Sequence, residues 1–456
     1  MGNRRARTSR HCAPAAERRC RGWLPAVLCL ALALQATAQP ADGRDVDALA
    51  AELETLKERL SELEDLRERV RLLEQQLEEA RAGQGRLADA DQKRDLAALS
   101  EADAAAAEAP EDGIGLGGAL RFNLFWNDFD ETVESKRGAA GLDLFRIGAD
   151  GSLRNLLLSA EYRFYPFMQV IHHGWVGYEF EDESRLQVGI TRVPFGLLPY
   201  AAHNFWFGAP YYLGLSDDYD LGVKYRRTDG AWEWQAAFFK NGELSNAADL
   251  DRYSLDVVSA GDSANEEVNQ GNLRAAYTFG AGTSCSHEVG FSAQFGEIYN
   301  TETDGSGSHW AGAGHLDTRC GRWNLQLQAA RYGYSPENPP GVPDDTIRLG
   351  GFGSSYDVAS RASVLVANVA YNLPVPWAAV DQVTCYNDYS IVVKDDDRFR
   401  DSQLNTTGCL VGVGPLYVYL DLIRAENMVF FGDGSLAGGD ESGWDTRFNI
   451  NVGYYW

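Results

Sequence analysis

Six of the seven histidines are the first residues to test for chemistry, and His172, His173, His203, His287, His309 and His315 are scattered along the chain without a catalytic motif. A serine or aspartate nucleophile would need a histidine held by an acidic orienter, and the spacing supplies no such pair. The doublet His172-His173 carries metal-ligand chemistry. Consecutive strand residues point to opposite faces, however, so one imidazole is expected inside and the other near an interface. No catalytic residue, metal or cofactor is expected. Cys285, Cys320, Cys385 and Cys409 include no Cys-x-x-Cys pair of the kind zinc sites use. The first two centre on the polar stretch Thr301 to Ser306 and the last two on Asp396-Asp397, so each pair would face across one hairpin. In an oxidising compartment these are candidate disulfides, with free buried thiols as the alternative.

The remaining chemistry is the sorting of ions. Alternation places Arg121, Arg163, Arg185, Lys224 and Arg226 on the polar side of their strands, with Arg192 at a strand end and Glu161, Glu179, Asp220 and Glu233 opposing them. In a water-filled lumen a few such groups set the selectivity, and these positions are the candidate pore lining. The formal net charge of -25 excludes a nucleic-acid partner. It would also repel anions at a channel mouth. From residue 113 onward the only lysines are Lys136, Lys224, Lys240 and Lys394. Much of the acidity is in Asp217-Asp218, Asp344-Asp345 and Asp395-Asp-Asp397, which read as solvated loops. Divalent cations bridging lipopolysaccharide are the alternative partner for them. The lumen reads as mixed in charge.

Strands must position these groups. In Arg447 to Trp456, Phe448, Ile450, Val452, Tyr454 and Trp456 alternate with Asn449, Asn451, Gly453 and Tyr455, giving one apolar and one polar face. A barrel wall between lipid and water uses both. The 47 glycines, 11 tryptophans and 21 tyrosines against 3 methionines suit a sheet protein with aromatic girdles. No run after residue 40 is apolar for the roughly 18 residues a spanning helix needs. About sixteen strands are expected from Gly113, centred near Leu120, Ile147, Ala160, Gly174, Val188, Val223, Ala236, Arg274, Ala293, Ala313, Gln326, Ala367, Asn387, Thr407, Val418 and Ile450. Short connections should follow even strands, at Asp150 to Ser152, Thr228 to Ala231, Cys320-Gly321 and Gly412 to Pro415. Long ones should follow odd strands, at Arg192 to Asp217, Asn241 to Glu267, Tyr334 to Ser360 and Glu426 to Gly443. Tyr165-Pro166 is the one exception to that pattern. The loop Arg192 to Asp217, rich in Phe195, Tyr200, Phe205, Trp206 and Phe207, is too aromatic to be freely solvated. It would fold inward as a constriction, pack on a neighbouring protomer, or join the outer girdle.

Residues 1–38 read as a signal peptide, with arginines before the apolar run Trp23 to Leu34 and a small-x-small site at Ala36 to Ala38. Residues 39–81 read as a coiled-coil helix. Leu49, Leu53, Leu56, Leu60 and Leu63 step by four and three, and the seam shifts at Leu66 before Val70, Leu73 and Leu77. Residues 82–112 read as a linker, and 113–456 as the barrel. A membrane-lying amphipathic helix is the alternative for 39–81. As a coiled coil that segment could also touch the cell wall, making the barrel a structural anchor.

Several segments resemble the phosphate-selective porin O/P family of Gram-negative outer membranes. They are Val188-Gly-Ile-Thr-Arg-Val-Pro-Phe-Gly196, Tyr219-Asp-Leu-Gly-Val-Lys-Tyr225, Tyr386-Asn-Asp-Tyr-Ser390 with Asp401-Ser-Gln403, Gly414-Pro-Leu-Tyr-Val-Tyr-Leu-Asp421, and the last strand. The resemblance implies an all-β, sixteen-stranded homotrimeric porin in outer-membrane lipid and lipopolysaccharide, passing small hydrophilic solutes or ions. It also implies that the apolar face ending in Trp456 is the membrane-insertion signal. The acidic excess departs from a phosphate channel, whose pore is expected to be rich in lysine and arginine.

Overall fold

The computed structural model describes residues 113–456 apart from Gly282 and residues 440–442, together with the single helical positions Lys57 and Arg69. The expected leader, coiled coil and linker otherwise lie outside the described residues.

Sixteen antiparallel strands close into a barrel. In chain order they are β1 Gly113–Asn127, β2 Ala139–Leu153, β3 Leu156–Phe164, β4 Gln169–Glu179, β5 Arg185–Arg192, β6 Tyr219–Asp229 and β7 Trp232–Gly242. They continue as β9 Asn265–Phe279, β10 Cys285–Asn300, β11 Gly305–Cys320, β12 Trp323–Ser335, β15 Arg361–Asn372, β16 Gln382–Lys394, β17 Ser402–Val413, β18 Leu416–Glu426 and β19 Asp445–Tyr455. Every strand centre expected from the alternation falls inside one of them. The barrel closes where β19 pairs with β1, Ile450 opposite Leu124. Closure pairs every strand on both sides, as backbone in lipid requires. Phe122 and Leu124 on β1, Val223 and Tyr225 on β6, and Phe448 and Tyr454 on β19 are exposed on the outer face, whereas Asn449 and Asn451 are buried inside.

The connections differ in length at the two barrel ends, with two departures from the expected pattern. At the turn end, tight links at Gly321-Arg322 and Gly414-Pro415 begin with glycines at φ 57° and 52°, the left-handed region that two-residue hairpins demand. The first expected turn is displaced, because β2 continues to Leu153 and the chain reverses at Arg154-Asn155. Residues 373–381 are long for this end, and residues 301–304 are as short as 165–168 at the loop end. Aromatic pairs ring the turn end: Trp232 and Tyr277 have centroids 4.9 Å apart, Trp323 and Tyr371 4.6 Å, and Tyr178 and Phe180 5.0 Å. Such amphipathic rings mark a membrane interface.

At the loop end, the connection after β1 carries a short helix, α1 (Glu131–Ser135), capped by Asp130 through the Thr132 and Val133 amides. The connections after β7 and β12 supply β8 (Asp256–Val257), β13 (Thr346–Gly351) and β14 (Ser354–Ala359), which form a three-stranded sheet. Its Val257, Ile347 and Leu349 share one buried apolar cluster with Tyr211, Leu213 and Leu215 of the β5–β6 loop.

Cys285 faces Cys320 across β10 and β11, and Cys385 faces Cys409 across β16 and β17. Both pairs are disulfide-bonded, at sequence separations of 35 and 24. Closing loops of this length limits the unfolded chain by roughly 3–4 kcal/mol each in the chain-entropy account. Alkylation of the denatured, unreduced protein is expected to label none of the four cysteines, and labelling after reduction should add four groups. Full labelling without reductant would remove both bridges.

Candidate functional site: an arginine arc facing an inward-folded loop

The β5–β6 loop, residues 193–218, does not stay at the rim. It crosses the lumen and is tied to the far wall by hydrogen bonds from many strands. The Gly196 amide donates to Ser292 Oγ at 3.0 Å and the Leu197 amide to Gln328 Oε1 at 2.8 Å. Asn368 Nδ2 donates to the Ala201 carbonyl at 2.9 Å, and the Ala209 amide to Ser390 Oγ at 2.9 Å. The centre of the loop is held by one carboxylate. Asp388 accepts from the His203 amide (2.6 Å), the His203 ring (2.8 Å), the Asn204 amide (3.0 Å) and Asn204 Nδ2 (2.7 Å). Burial opposes a charge on His203, but the Asp388 carboxylate and the hydrogen bonds to Asp388 and Asn324 raise its pKa above the ordinary value. Of the three placements open from sequence, the inward one is the one observed.

On the opposite side, β19, β1, β2, β3 and β5 present an arc of arginines to a cavity of about 410 Å³. Arg121 pairs with Asp143 at 2.9 Å, while Arg146 and Arg163 share Glu161 at 3.2 and 2.5 Å. Arg192 lies 3.6 Å from Asp217 and donates to the Tyr219 hydroxyl at 2.6 Å. Arg447 bonds the side-chain oxygen of Asn449 and lies over the rings of Phe125 and Trp206, at 4.1 and 4.4 Å. The others also have aromatic neighbours: Arg121 lies over Phe205, Arg146 over Tyr455 and Arg163 over Tyr253. Aromatic rings on one side and polar partners on the other hold these guanidinium groups in place. Five arginines and two aspartates line the cavity, so it carries a cationic excess even when Glu161 behind it is counted.

The positions singled out from sequence divide into three groups. Arg121, Glu161, Arg163 and Arg192 join the arc. Arg185 pairs with Glu179 at 3.1 Å, and Arg226 with Glu233 at 2.6 Å, lower in the wall. Arg274, which alternation alone does not single out, bridges Glu233 and Glu288 at 2.8 and 2.6 Å. Lys224 donates to the Arg192 carbonyl at 3.0 Å, and Asp220 accepts from Gln270 at 3.2 Å. Arg146 and Arg447 were also missed. The signal for Arg447 was available, since it lies in phase with Asn449 and Asn451 on the inner row.

One expectation is overturned. His172 and His173 both point inward, 2% and 3% exposed, with their Nδ1 atoms 2.8 Å apart. Glu161 pairs with His173 and Tyr162 with Ile171, so His172 is the extra residue of a β-bulge. A bulge breaks the period of two on which the opposite-face argument rested. His173 Nε2 lies 2.8 Å from Ser159 Oγ, which also donates to Asp150 at 2.6 Å. That serine is fully buried in the wall with its proton engaged by a carboxylate, so it is not presented as a nucleophile.

Fold and site together define a closed antiparallel barrel, in which sixteen strands surround an inward loop opposed by fixed charges. No protein-family model and no curated protein matches the chain. Among solved structures, the barrel is similar to the outer membrane channel DcaP of Acinetobacter baumannii, at 11% identity and TM-score 0.51, covering 76% of this chain and 100% of that one. It is also similar to the trimer form of OmpT, an outer membrane protein of Vibrio cholerae, at 14% identity and TM-score 0.50, again covering 76% and 100%. At these identities the likeness is one of fold. It shows that the chain shares the barrel fold of these outer-membrane proteins, with nothing specific to the phosphate-selective O/P family.

Proposed function

We propose that the protein is a passive outer-membrane diffusion channel that favours small organic anions, carboxylates with a planar apolar body above all. One observation carries this reading: five arginines and only two aspartates line the cavity beside the inward loop. The summed positive charge of the lining attracts a carboxylate, and Tyr200, Phe205 and Phe207 of the loop supply an apolar surface for the rest of the solute. The acidic excess of the whole chain lies largely outside this arc, and ordered charges at a constriction outweigh distant loops in selecting ions. The arc thereby favours the anion-selective alternative over charge-blind passage, without singling out phosphate.

A homotrimer is part of the proposal. β3, β4 and β5 have 9, 11 and 8 residues, whereas β9, β10 and β11 have 15, 16 and 16. A tilted strand of 8 residues spans roughly 20 Å, short of an apolar band about 25 Å tall, so protein contact on that low side is the economical solution. The trimer form of OmpT is consistent with it.

The test is the reversal potential of the purified protein in a planar bilayer under asymmetric KCl, followed by replacement of chloride with benzoate. Anion preference with benzoate permeant is expected. Absence of any current would defeat the channel reading, and cation preference would defeat the anion reading alone.

A further inference from the structure

Away from the arginine arc, five carboxylates crowd where the inward loop returns to the wall. Asp218 ends that loop, Asp220 begins β6, Glu243 follows β7, Asp256 lies in β8 and Glu267 in β9. Carboxylate oxygens of Asp218, Asp220 and Asp256 all lie within 4.8 Å of one another. The three residues are 6%, 2% and 3% exposed. Among the described residues, Arg252 Nη1 bonds Asp256 Oδ2 at 2.9 Å, and His309 Nε2 lies 3.7 Å from Glu267. Five acids against one arginine leave a buried charge that must be neutralised.

A second observation says by what. Two of these carboxylates have one oxygen bonded to the chain and the other without a hydrogen-bond partner. Asp220 Oδ2 accepts from Gln270 and Glu243 Oε1 from the Ser254 amide at 3.0 Å. Asp220 Oδ1, Glu243 Oε2 and Asp218 Oδ1 are buried without a hydrogen-bond partner. Glu243, itself 5% exposed, lies against Asp256. Orphaned acceptors from separate segments, all oxygen and held in place, are the donor set of a hard divalent cation. Calcium fits better than magnesium, since it tolerates irregular geometry and sheds water more readily.

We propose that Asp218, Asp220 and Asp256, with Glu243 beside them, bind one calcium ion that pins the constriction loop and the β7–β9 connection to the barrel wall. The competing solution is a shared proton, because burial and the adjacent carboxylates push the Asp218 carboxyl well above its usual range. This site is independent of what the channel conducts.

The experiment uses the full chain in detergent after EDTA treatment. Terbium luminescence and its competition by calcium should report one saturable site per chain, with a calcium dissociation constant on the order of 10⁻⁴–10⁻³ M, as in extracellular modules. At about tenfold excess over that constant, calcium should raise the melting temperature by roughly 2–4 °C. Asp220→Asn and the pair Asp218→Asn with Asp256→Asn should abolish both responses, whereas Asp396→Asn with Asp397→Asn, in the exposed loop after β16, should keep them. Unaltered protein with no saturable site, or a calcium response that survives Asp220→Asn, overturns the proposal. If the double variant does not fold, the titration of the unaltered protein and of Asp220→Asn decides.

Discussion

Replacing Arg447 with glutamine is expected to lower the anion-over-cation permeability ratio about sevenfold, read from reversal potentials at low salt. The size follows from a unit charge taken to act across roughly 7 Å of water, worth about 0.6 kcal/mol, since the anion loses that attraction and the cation loses an equal repulsion. That figure is a floor, because a narrow lumen walled by protein has a lower effective dielectric. Arg447 is the informative arginine because it forms no ion pair among the described residues. It is held instead by Asn449 and by the rings of Phe125 and Trp206. Removing Arg121 would strand Asp143 and confound two effects. Arg447→Lys should preserve the charge effect while weakening the stacked hold. Arg185→Gln serves as the control, since that side chain is committed to Glu179 at the start of β5. If Arg447→Gln and Arg185→Gln shift selectivity equally, the arc is not where ions are sorted.

The contrast between Arg447 and His172 shows what the sequence made legible. Arg447 is found by any strict alternation that starts from Asn449, and so are the outward rows through Leu124, Val223 and Tyr454. These depend on local strand geometry alone, which is why all sixteen strands could be counted. His172 lies where an inserted residue changes the phase, and nothing in Ile171-His-His-Gly174 announces a bulge. Boundaries slipped for a similar reason at Asp150 to Ser152, where small polar residues resemble a turn yet continue β2. The inward course of residues 193–218 depends on partners such as Asp388 and Gln328, more than a hundred residues away. Its aromatic content signalled burial without saying against what. The cationic arc was the least legible feature, because the net charge of -25 sums loops and lumen alike and only the closed barrel separates them.

Asp388→Ala is expected to have the largest structural effect, loosening the middle of the inward loop and raising both the open-channel conductance and its noise. Four donors from His203 and Asn204 lose their acceptor at once. Breaking a buried charged contact of this kind costs on the order of 3–5 kcal/mol, so the melting temperature should also fall. The loop should not leave the lumen, because Ser292, Gln328, Asn368 and Ser390 still hold it on either side. The same contact gives the channel a pH dependence whose sign is set by His203. Its folded pKa is raised above the ordinary 6.5, so the stabilisation is fully present below that value and is lost as pH rises through the higher folded one. Noise of the unaltered channel should therefore grow from pH 6 toward alkaline pH, and His203→Gln should flatten that rise. A single-channel record of Asp388→Ala at pH 6 that matched the unaltered protein in conductance and noise would show that the flanking bonds alone hold the constriction, and Asp388 would lose its role as the anchor.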